Sequence, residues 1–220
     1  MRVRIAGAAA RYGRNADCVT LVGASKGQPP EAIQALAGCG LRSFGENYLQ
    51  EALPKLERLR SLALDWHFIG PLQSNKTRVI AEQFAWVHTL DRLRIAQRLS
   101  AQRPHHAAPL EVCIQVNISG EPGRAGVAPH EAGSLAAAVR LLPRLRLRGL
   151  MVLPPPETEL ERQRAHFAQL RRLLEALNAQ GLGLDTLSMG MSGDLEAAIA
   201  EGATIVRIGT ALFGPRPPKP

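Results

Sequence analysis

Short apolar segments rich in β-branched residues alternate with longer segments of helical periodicity along almost the whole chain. Glycine, proline and small polar residues follow most of the apolar segments and mark where they end. Such an alternation is typical of βα units, in which each strand is followed by a helix. The predicted strands are Val19–Ser25, Leu41–Phe44, Trp66–Ile69, Trp86–Thr89, Leu110–Asn117, Arg146–Val152, Thr186–Ser188 and Thr204–Ile208.

Helical periodicity fills the segments between these strands. The predicted helices are Pro30–Ala37, Tyr48–Leu59, Ser74–Gln83, Arg92–Gln102, Pro129–Leu141, Leu160–Gln180, Asp194–Ala200 and Thr210–Phe213, with an extra amphipathic segment, Arg2–Gly13, before the first strand. Eight βα units predict an α/β fold: a single (β/α)8 TIM barrel over residues 1–214, with a flexible, proline-rich tail over residues 215–220. A doubly wound open sheet is the alternative, although no G-x-G-x-x-G motif follows the first strand.

The composition raises the question of whether the protein binds nucleic acid. The 220 residues are 45% hydrophobic, enough for one sizeable core, and 27 Lys and Arg against 19 Asp and Glu give a net charge of +8. The arginines are dispersed over separate predicted elements, and aromatic residues, at 4%, do not alternate with them. Because no base-stacking surface is predicted, we expect no nucleic-acid partner, and a basic nucleic-acid-binding module is only the third hypothesis.

Cysteine usage and targeting signals point to the cytoplasm. The three cysteines are widely spaced and form no C-x-x-C pair, so we expect reduced thiols. We find no signal peptide and no apolar stretch near the roughly 18 residues that a bilayer crossing needs, so no membrane association is expected. His105 and His106 have no partners at metal-ligand spacing, and no metal site is predicted.

Lys26 stands where the first predicted strand ends and a turn begins. The chain meets its need for positive charge almost entirely with arginine, and its other lysines are Lys55, Lys76 and Lys219. A lysine amine can lose its proton on burial and then condense with an aldehyde, which an arginine cannot do. The alternative is a surface lysine whose ammonium reaches solvent along the strand end.

The loops after the last two predicted strands are rich in glycine and hydroxyl residues. They are Ser188–Asp194 and Arg207–Gly214. In βα barrels the corresponding loops often hold a phosphate on backbone N–H groups, although glycine and serine can also simply cap helices. An amine on strand one opposite a phosphate site on strands seven and eight suits a phosphorylated aldehyde, and pyridoxal 5′-phosphate (PLP) is such a molecule.

Seven motifs, in order along the chain, resemble those of the pyridoxal phosphate homeostasis protein family. They are Leu21–Lys26, Phe44–Glu51, Trp66–Lys76, Val116–Glu121, Leu147–Met151, Ser188–Ser192 and Val206–Thr210. The resemblance covers essentially the whole chain. It implies a single barrel similar to the N-terminal domain of alanine racemase.

The resemblance also implies roles for individual residues. Lys26 would be the Schiff-base lysine, and Arg207 would face the pyridine nitrogen of the cofactor. The phosphate would be bound by Ser192, Gly209 and Thr210, and the pocket would be lined by Asn47, His67, Met151 and Ser188. Two positions depart from the family pattern: Gln28 and Arg124 stand where lysines are usual, so this chain lacks amines there.

We therefore expect a monomeric, non-catalytic protein that binds PLP and takes part in its intracellular homeostasis or delivery, with transient contact to apo forms of PLP-dependent enzymes. An arginine beside the pyridine nitrogen disfavours its protonation and weakens the ring as an electron sink. A racemase also needs acid/base groups on both faces of the substrate, and no second domain is present to supply the other. The alternative hypothesis is a PLP-dependent, racemase-like enzyme that recruits this group from a partner.

Overall fold

A closed barrel of parallel strands forms the centre of the molecule, which is described by a computed structural model over residues 1–121 and 123–214. Within those residues each strand pairs with its neighbour in the sequence, from β1 through β8. The strands are β1 (Thr20–Ala24), β2 (Ser43–Glu46), β3 (Asp65–Phe68), β4 (Trp86–Leu90), β5 (Leu110–Gln115), β6 (Leu145–Met151), β7 (Thr186–Ser188) and β8 (Ile205–Ile208). The (β/α)8 prediction is confirmed, and the open-sheet alternative is excluded.

Helices surround the barrel and follow the predicted order. They are α1 (Arg2–Arg11), α2 (Pro30–Gly38), α3 (Leu49–Arg58), α4 (Thr77–Gln83), α5 (Leu93–Gln102), α6 (Ala132–Arg140), α7 (Leu160–Ala179), α8 (Leu195–Ala200) and α9 (Thr210–Phe213). Short 3₁₀ turns occupy Ala16–Cys18, Arg60–Leu62, Ser74–Lys76 and Pro129–Glu131. None of the described helices combines the length and apolar character that a bilayer crossing requires. The predicted tail, residues 215–220, lies outside the described residues.

The barrel closes where β1 pairs with β8. The register aligns Leu21 with Val206 and Val22 with Arg207, and the β1–β2 pairing aligns Gly23 with Phe44. This closure leaves no free sheet edge and places the carboxyl ends of all the strands at one face. The residues that follow the first and last strands are therefore neighbours in space although they are far apart in sequence.

Packing between strands and helices explains most of the buried apolar positions. On the outer face of the barrel, the rings of Phe44 and Trp66 lie 6.0 Å apart, and those of Phe68 and Phe84 meet edge to face at 5.3 Å. Alternate positions of β2 and β3 carry Phe44, Trp66 and Phe68, whereas Phe84 directly follows α4. Together these four rings fill the layer beneath the helices. The opposite positions of these strands point into the barrel, and several of those side chains are polar.

Candidate functional site

A cleft of about 310 Å³ opens at the carboxyl ends of the strands. It is lined by Ala24, Lys26, Gln28, Asn47, Ile69, Leu153, Met191, Ser192, Gly193, Arg207, Gly209, Thr210 and Gly214. Its volume lies at the lower end of the range of about 300–1,000 Å³ that is typical of small-molecule sites. The fold thus brings six of the predicted site residues to one cleft: Lys26, Asn47, Ser192, Arg207, Gly209 and Thr210.

The backbone before Lys26 is held by a buried ion pair. Lys55 of α3 donates from Nζ to Glu46 Oε1 (2.8 Å) and to the carbonyl of Ser25 (2.9 Å). The hydroxyl of Ser25 donates to the same Glu46 oxygen at 2.6 Å. Burial raises the pKa of Glu46, and the ammonium of Lys55 opposes that rise. Ser25 is therefore fixed through both its carbonyl and its hydroxyl.

The backbone after Lys26 is fixed as well. The amide of Gly27 donates to Glu51 Oε2 of α3 (2.9 Å), and the amide of Gln28 donates to the Ser25 carbonyl (3.0 Å). Gly27 has a φ of +71°, a left-handed conformation that glycine adopts without steric cost. The half-buried Lys26 therefore projects into the cleft from a turn that is anchored on both sides.

Asn47 lines the cleft and carries an unpaired side-chain oxygen. Its Oδ1 atom is buried and has no hydrogen-bond partner within the described residues. The backbone of Asn47 packs so closely on Gly70 that a Cβ at Gly70 would lie 2.0 Å from the Asn47 carbonyl oxygen. A buried amide oxygen without a partner costs free energy, so this position is suited to a donor supplied by a ligand.

The loop between β7 and β8 forms the far wall of the cleft. The amide of Ala211, in α9, donates to Ser192 Oγ at 3.3 Å, which joins the two loops that were predicted to bind phosphate. The carboxylate of Asp194 accepts from the amide of Met191 (2.5 Å) and closes this turn instead of capping α8 with its side chain. Gly190 has a φ of +98°, and a Cβ there would lie 2.6 Å from the Cβ of Ala198.

Arg207 reaches the cleft from inside the barrel. It donates from Nη1 to the hydroxyl of Ser188 (2.6 Å) and from Nη2 to the carbonyl of Val152 (2.8 Å). Burial lowers the pKa of Arg207 to about 10, so the guanidinium is still a cation at neutral pH. This places a fixed positive charge at the base of the cleft.

His67, Met151 and Ser188 do not line the cleft; they are buried in or against the barrel beneath it. Ser188 Oγ lies 2.7 Å from His88 Nδ1, and His88 Nε2 lies 2.9 Å from His67 Nδ1. Burial lowers the pKa of His67 to about 3, and burial, His67 and Arg207 lower that of His88 well below its usual range. Sequence reasoning did not assign a role to His88. The available signal was a second histidine at an interior position of a neighbouring buried strand.

Other cleft residues were also missed as contributors. Ile69, Leu153, Met191 and Gly193 line it, as does Gln28, which was noted only as a replacement for a lysine. Arg124, the other replacement, lies outside this lining and donates to the carbonyl of Leu153 at 3.1 Å. Apolar loop residues carry no chemical signal in a sequence, so only the fold could place them here.

Metal and disulfide chemistry have no counterpart in the described part of the chain. Within residues 1–121 and 123–214, no cluster of three or more His, Cys, Asp or Glu side chains is arranged to hold a metal ion. Cys18, Cys39 and Cys113 are free thiols. Cys113 is buried, and burial raises its pKa to about 12, which leaves it protonated and unreactive.

Comparison with known proteins connects this cleft to a family. The family described as "Alanine racemase, N-terminal domain" matches residues 21–217. The pyridoxal phosphate homeostasis protein of Pseudomonas aeruginosa is 61% identical over 213 residues, covering 97% of this chain and 91% of that protein. The protein of the same name from Escherichia coli K12 is 52% identical over 219 residues, covering 98% and 94%.

A solved structure shows the same architecture. PipY of Synechococcus elongatus, determined with PLP bound, superposes with a TM-score of 0.84 at 38% sequence identity. The match covers 96% of this chain and all of that one. On its sequence, its closed barrel and these relatives, the chain belongs to the pyridoxal phosphate homeostasis protein family, within the alanine racemase N-terminal domain fold.

Proposed function

We propose that this protein binds pyridoxal 5′-phosphate as a Schiff base on Lys26 and takes part in intracellular PLP homeostasis or delivery. The observation that carries the proposal is the cleft itself. It joins a lysine at the end of β1 to a hydroxyl- and glycine-lined wall after β7 and β8, in a barrel that matches PLP-bound PipY. The relatives named for PLP homeostasis support the same function.

The residues present fit this cofactor. When bound, the cofactor supplies an electrophilic aldehyde, which condenses with the amine of Lys26 to form the C=N bond and release water. Ser192, Gly209 and Thr210 would bind the phosphate dianion through a hydroxyl and backbone N–H groups. The unpaired Oδ1 of Asn47 offers an acceptor to a polar group of the cofactor, and Arg207 would face its ring nitrogen.

The same geometry argues that the protein is a carrier and not an enzyme. A guanidinium beside the ring nitrogen disfavours its protonation, so carbanions next to the imine carbon gain little stabilisation. The tyrosines of the chain do not line the cleft: Tyr12 hydrogen-bonds Glu196 at 3.3 Å on the outside of the barrel, and Tyr48 is 52% exposed. Neither tyrosine would thus reach the opposite face of a bound amino acid, where a racemase needs a second acid/base group.

The proposal is tested by absorbance and trapping. Protein incubated with PLP and desalted should show a visible band of the protonated imine, and borohydride should remove it. Digestion after reduction should locate the added mass on the peptide that contains Lys26. Lys26→Ala should abolish both signals, because no other amine lines the cleft in the described residues.

Lys76→Ala is the matched control. Lys76 lies after β3 and outside the cleft lining, so this variant should keep the band and the trapped peptide of the unmodified chain. A band that survives Lys26→Ala, or a trapped mass on Lys55 or Lys76, would show that the assignment of Lys26 is wrong.

A racemase-like enzyme is the second candidate, and the match to the alanine racemase N-terminal domain family favours it. Amino-acid racemisation by the PLP-loaded protein should stay far below about 1 s⁻¹, a rate near the lower end for ordinary enzymes. Turnover at or above that rate would favour the enzyme over the carrier.

The remaining expectations concern the cellular setting. We propose a cytoplasmic monomer that meets apo PLP-dependent enzymes transiently and passes the cofactor on. An apo-enzyme should regain activity faster from the loaded protein than from an equal amount of free PLP if transfer is direct. Equal rates would indicate release into solution before capture.

A further inference from the structure

We propose that Ser188 and His88 are positioning residues that hold the Arg207 guanidinium in place, through a hydrogen-bond relay of fixed direction that ends at His67. The relay consists of Arg207, Ser188, His88 and His67, with contacts of 2.6, 2.7 and 2.9 Å in that order. This inference rests on the proposed function, because it assigns to the relay the orientation of the charge that faces the cofactor ring.

The relay crosses the inside of the barrel. Arg207 and Ser188 lie on the neighbouring strands β8 and β7, whereas His88 lies on β4, on the opposite side. A contact between β4 and β7 can form only through the interior, so the relay ties the two halves of the barrel together beneath the cleft. His67 then stacks on Trp86 with ring centroids 5.5 Å apart and an interplanar angle of 11°.

Donor and acceptor chemistry sets the direction of the relay. A guanidinium only donates, so Ser188 Oγ accepts from Arg207, and the single hydroxyl proton of Ser188 is left for His88 Nδ1. A neutral His88 that accepts at Nδ1 carries its proton on Nε2 and donates it to His67 Nδ1. The relay therefore ends in an Nε2–H on His67, and that nitrogen is buried without a hydrogen-bond partner in the described residues.

The reverse direction leaves more groups unsatisfied. If His88 donated from Nδ1, Ser188 Oγ would accept from both neighbours, and its own proton would have no acceptor among the contacts of the relay. A buried hydroxyl without an acceptor is costly. The forward direction satisfies Ser188 and His88 fully and leaves one unpaired atom, on His67.

Both histidines stay neutral in this arrangement, so the relay adds no charge of its own. Burial depresses the pKa of each, and the positive Arg207 further disfavours a proton on His88. The positive charge therefore stays on the guanidinium at the cleft. The relay supplies an acceptor for Nη1, while the Val152 carbonyl accepts from Nη2, so the plane of the guanidinium is fixed at two nitrogens.

The first test uses the cofactor-free protein. Nitrogen-15 NMR of histidine side chains at neutral pH should show His88 and His67 as neutral rings protonated at Nε2. Protonation at Nδ1 on either ring, or a charged ring, would overturn the proposed direction. This readout does not involve the cofactor, so its failure is distinct from failure of the proposed function.

The second test uses the PLP-loaded protein and its absorption maximum. Ser188→Ala and His88→Leu should each weaken PLP binding about tenfold and shift the visible absorption maximum. In the first variant Arg207 loses its acceptor, and in the second Ser188 loses the acceptor of its hydroxyl proton. His88→Gln should restore both values toward those of the unmodified chain, since a glutamine can accept at Oε1 and donate at Nε2.

Val87→Ala is the matched control for a loss of stability alone. Val87 is buried next to His88 on β4 and is not part of the relay, so this variant should lower the melting temperature without moving the absorption maximum. If the unmodified chain binds PLP but Ser188→Ala and His88→Leu retain its affinity and spectrum, the relay has no positioning role. If His88→Leu fails to fold, Ser188→Ala and the NMR measurement still decide the question.

Discussion

At the scale of single residues, the cleft depends on glycines that leave room for close backbone contacts as well as on the side chains that line it. At Gly70, the backbone of Asn47 occupies the space that a side chain would need. Lys26 was predicted because an amine at a strand end suits one kind of reaction, and the structure places it in the cleft. The part played by His88 could not be predicted, because its partner Ser188 is 100 residues away and the contact exists only across a closed barrel.

We predict that Gly70→Ala disrupts the cleft from outside its lining. The new Cβ would lie 2.0 Å from the Asn47 carbonyl oxygen, and this contact with backbone cannot be relieved by a rotamer change. Strain of about 1–3 kcal/mol and a displaced Asn47 should lower both the free energy of unfolding and PLP affinity. Urea titration and PLP titration measure the two effects.

Gly7→Ala provides the comparison for that variant. Gly7 lies inside α1, and a Cβ there would meet no atom within 4 Å. Alanine should stabilise the helix by about 0.5–1 kcal/mol and leave PLP affinity unchanged. Unaltered PLP binding in Gly70→Ala would mean that the Asn47 backbone can move without affecting the site.

At the scale of elements, the order of strands and helices followed from periodicity, whereas some boundaries did not. The second strand was predicted over Leu41–Phe44, but β2 runs over Ser43–Glu46 and ends on a fully buried carboxylate. A buried glutamate is improbable in a strand unless a cation reaches it. That cation is Lys55, which α3 brings to within 2.8 Å, and nothing in the local sequence of β2 announces it.

We predict that Lys55→Met destabilises the protein and makes its stability more dependent on pH. Removing the ammonium leaves Glu46 as an uncompensated buried charge, which should cost about 3–5 kcal/mol near neutral pH. Burial already raises the pKa of Glu46, and Lys55 lowers it, so the substitution raises it further. Denaturant titrations at several pH values measure the effect.

Proton linkage sets the direction in which stability changes with pH. A carboxyl with a folded pKa above its unfolded value binds its proton more tightly when folded, so its contribution to stability is present at acidic pH and is lost as pH rises. The difference in free energy of unfolding between Lys55→Met and the unmodified chain should therefore widen from about pH 4 toward neutrality. Adding Glu46→Gln should recover much of the loss at neutral pH.

Arg58→Met supplies the control within the same helix. Arg58 pairs with Glu31 at 2.5 Å, but their side chains are 61% and 58% exposed. Solvent screens such a pair, so the change should stay within about 1 kcal/mol and should vary little with pH in the acidic range. A pH-independent loss in Lys55→Met would argue that packing, and not the Glu46 charge, accounts for its effect.

At the scale of the whole molecule, the fold was predicted correctly because eight βα units can close in few ways. Strand and helix periodicities alternate along the entire chain, so small errors at single element boundaries do not change the predicted fold. The interior of the barrel was less predictable, since it holds buried polar side chains where apolar layers are usual. These side chains form the hydrogen-bond relay beneath the cleft, from Arg207 through Ser188 and His88 to His67.

We predict that PLP stabilises the folded barrel as a unit. A ligand that binds only the folded state adds about 2.7 kcal/mol at a concentration of 100 times Kd, which corresponds to a rise of roughly 5–10 °C in Tm for a protein of this size. Thermal melts across a PLP series should show the rise. Lys26→Ala should lose most of it, and an equal shift in that variant would indicate binding elsewhere.

The pairing of β1 with β8 bears on when, during synthesis of the chain, the cleft can form. Lys26 follows β1 and leaves the ribosome before the other strands of the barrel, whereas β8, which carries Arg207 and pairs with β1, is the last of these eight strands to be made. A growing chain therefore exposes the amine of Lys26 long before the proposed phosphate-binding loops exist, and contacts of such large sequence separation form slowly. Capture of the cofactor should be a post-translational event that reports a finished barrel, and nascent chains arrested before Thr204 should retain none.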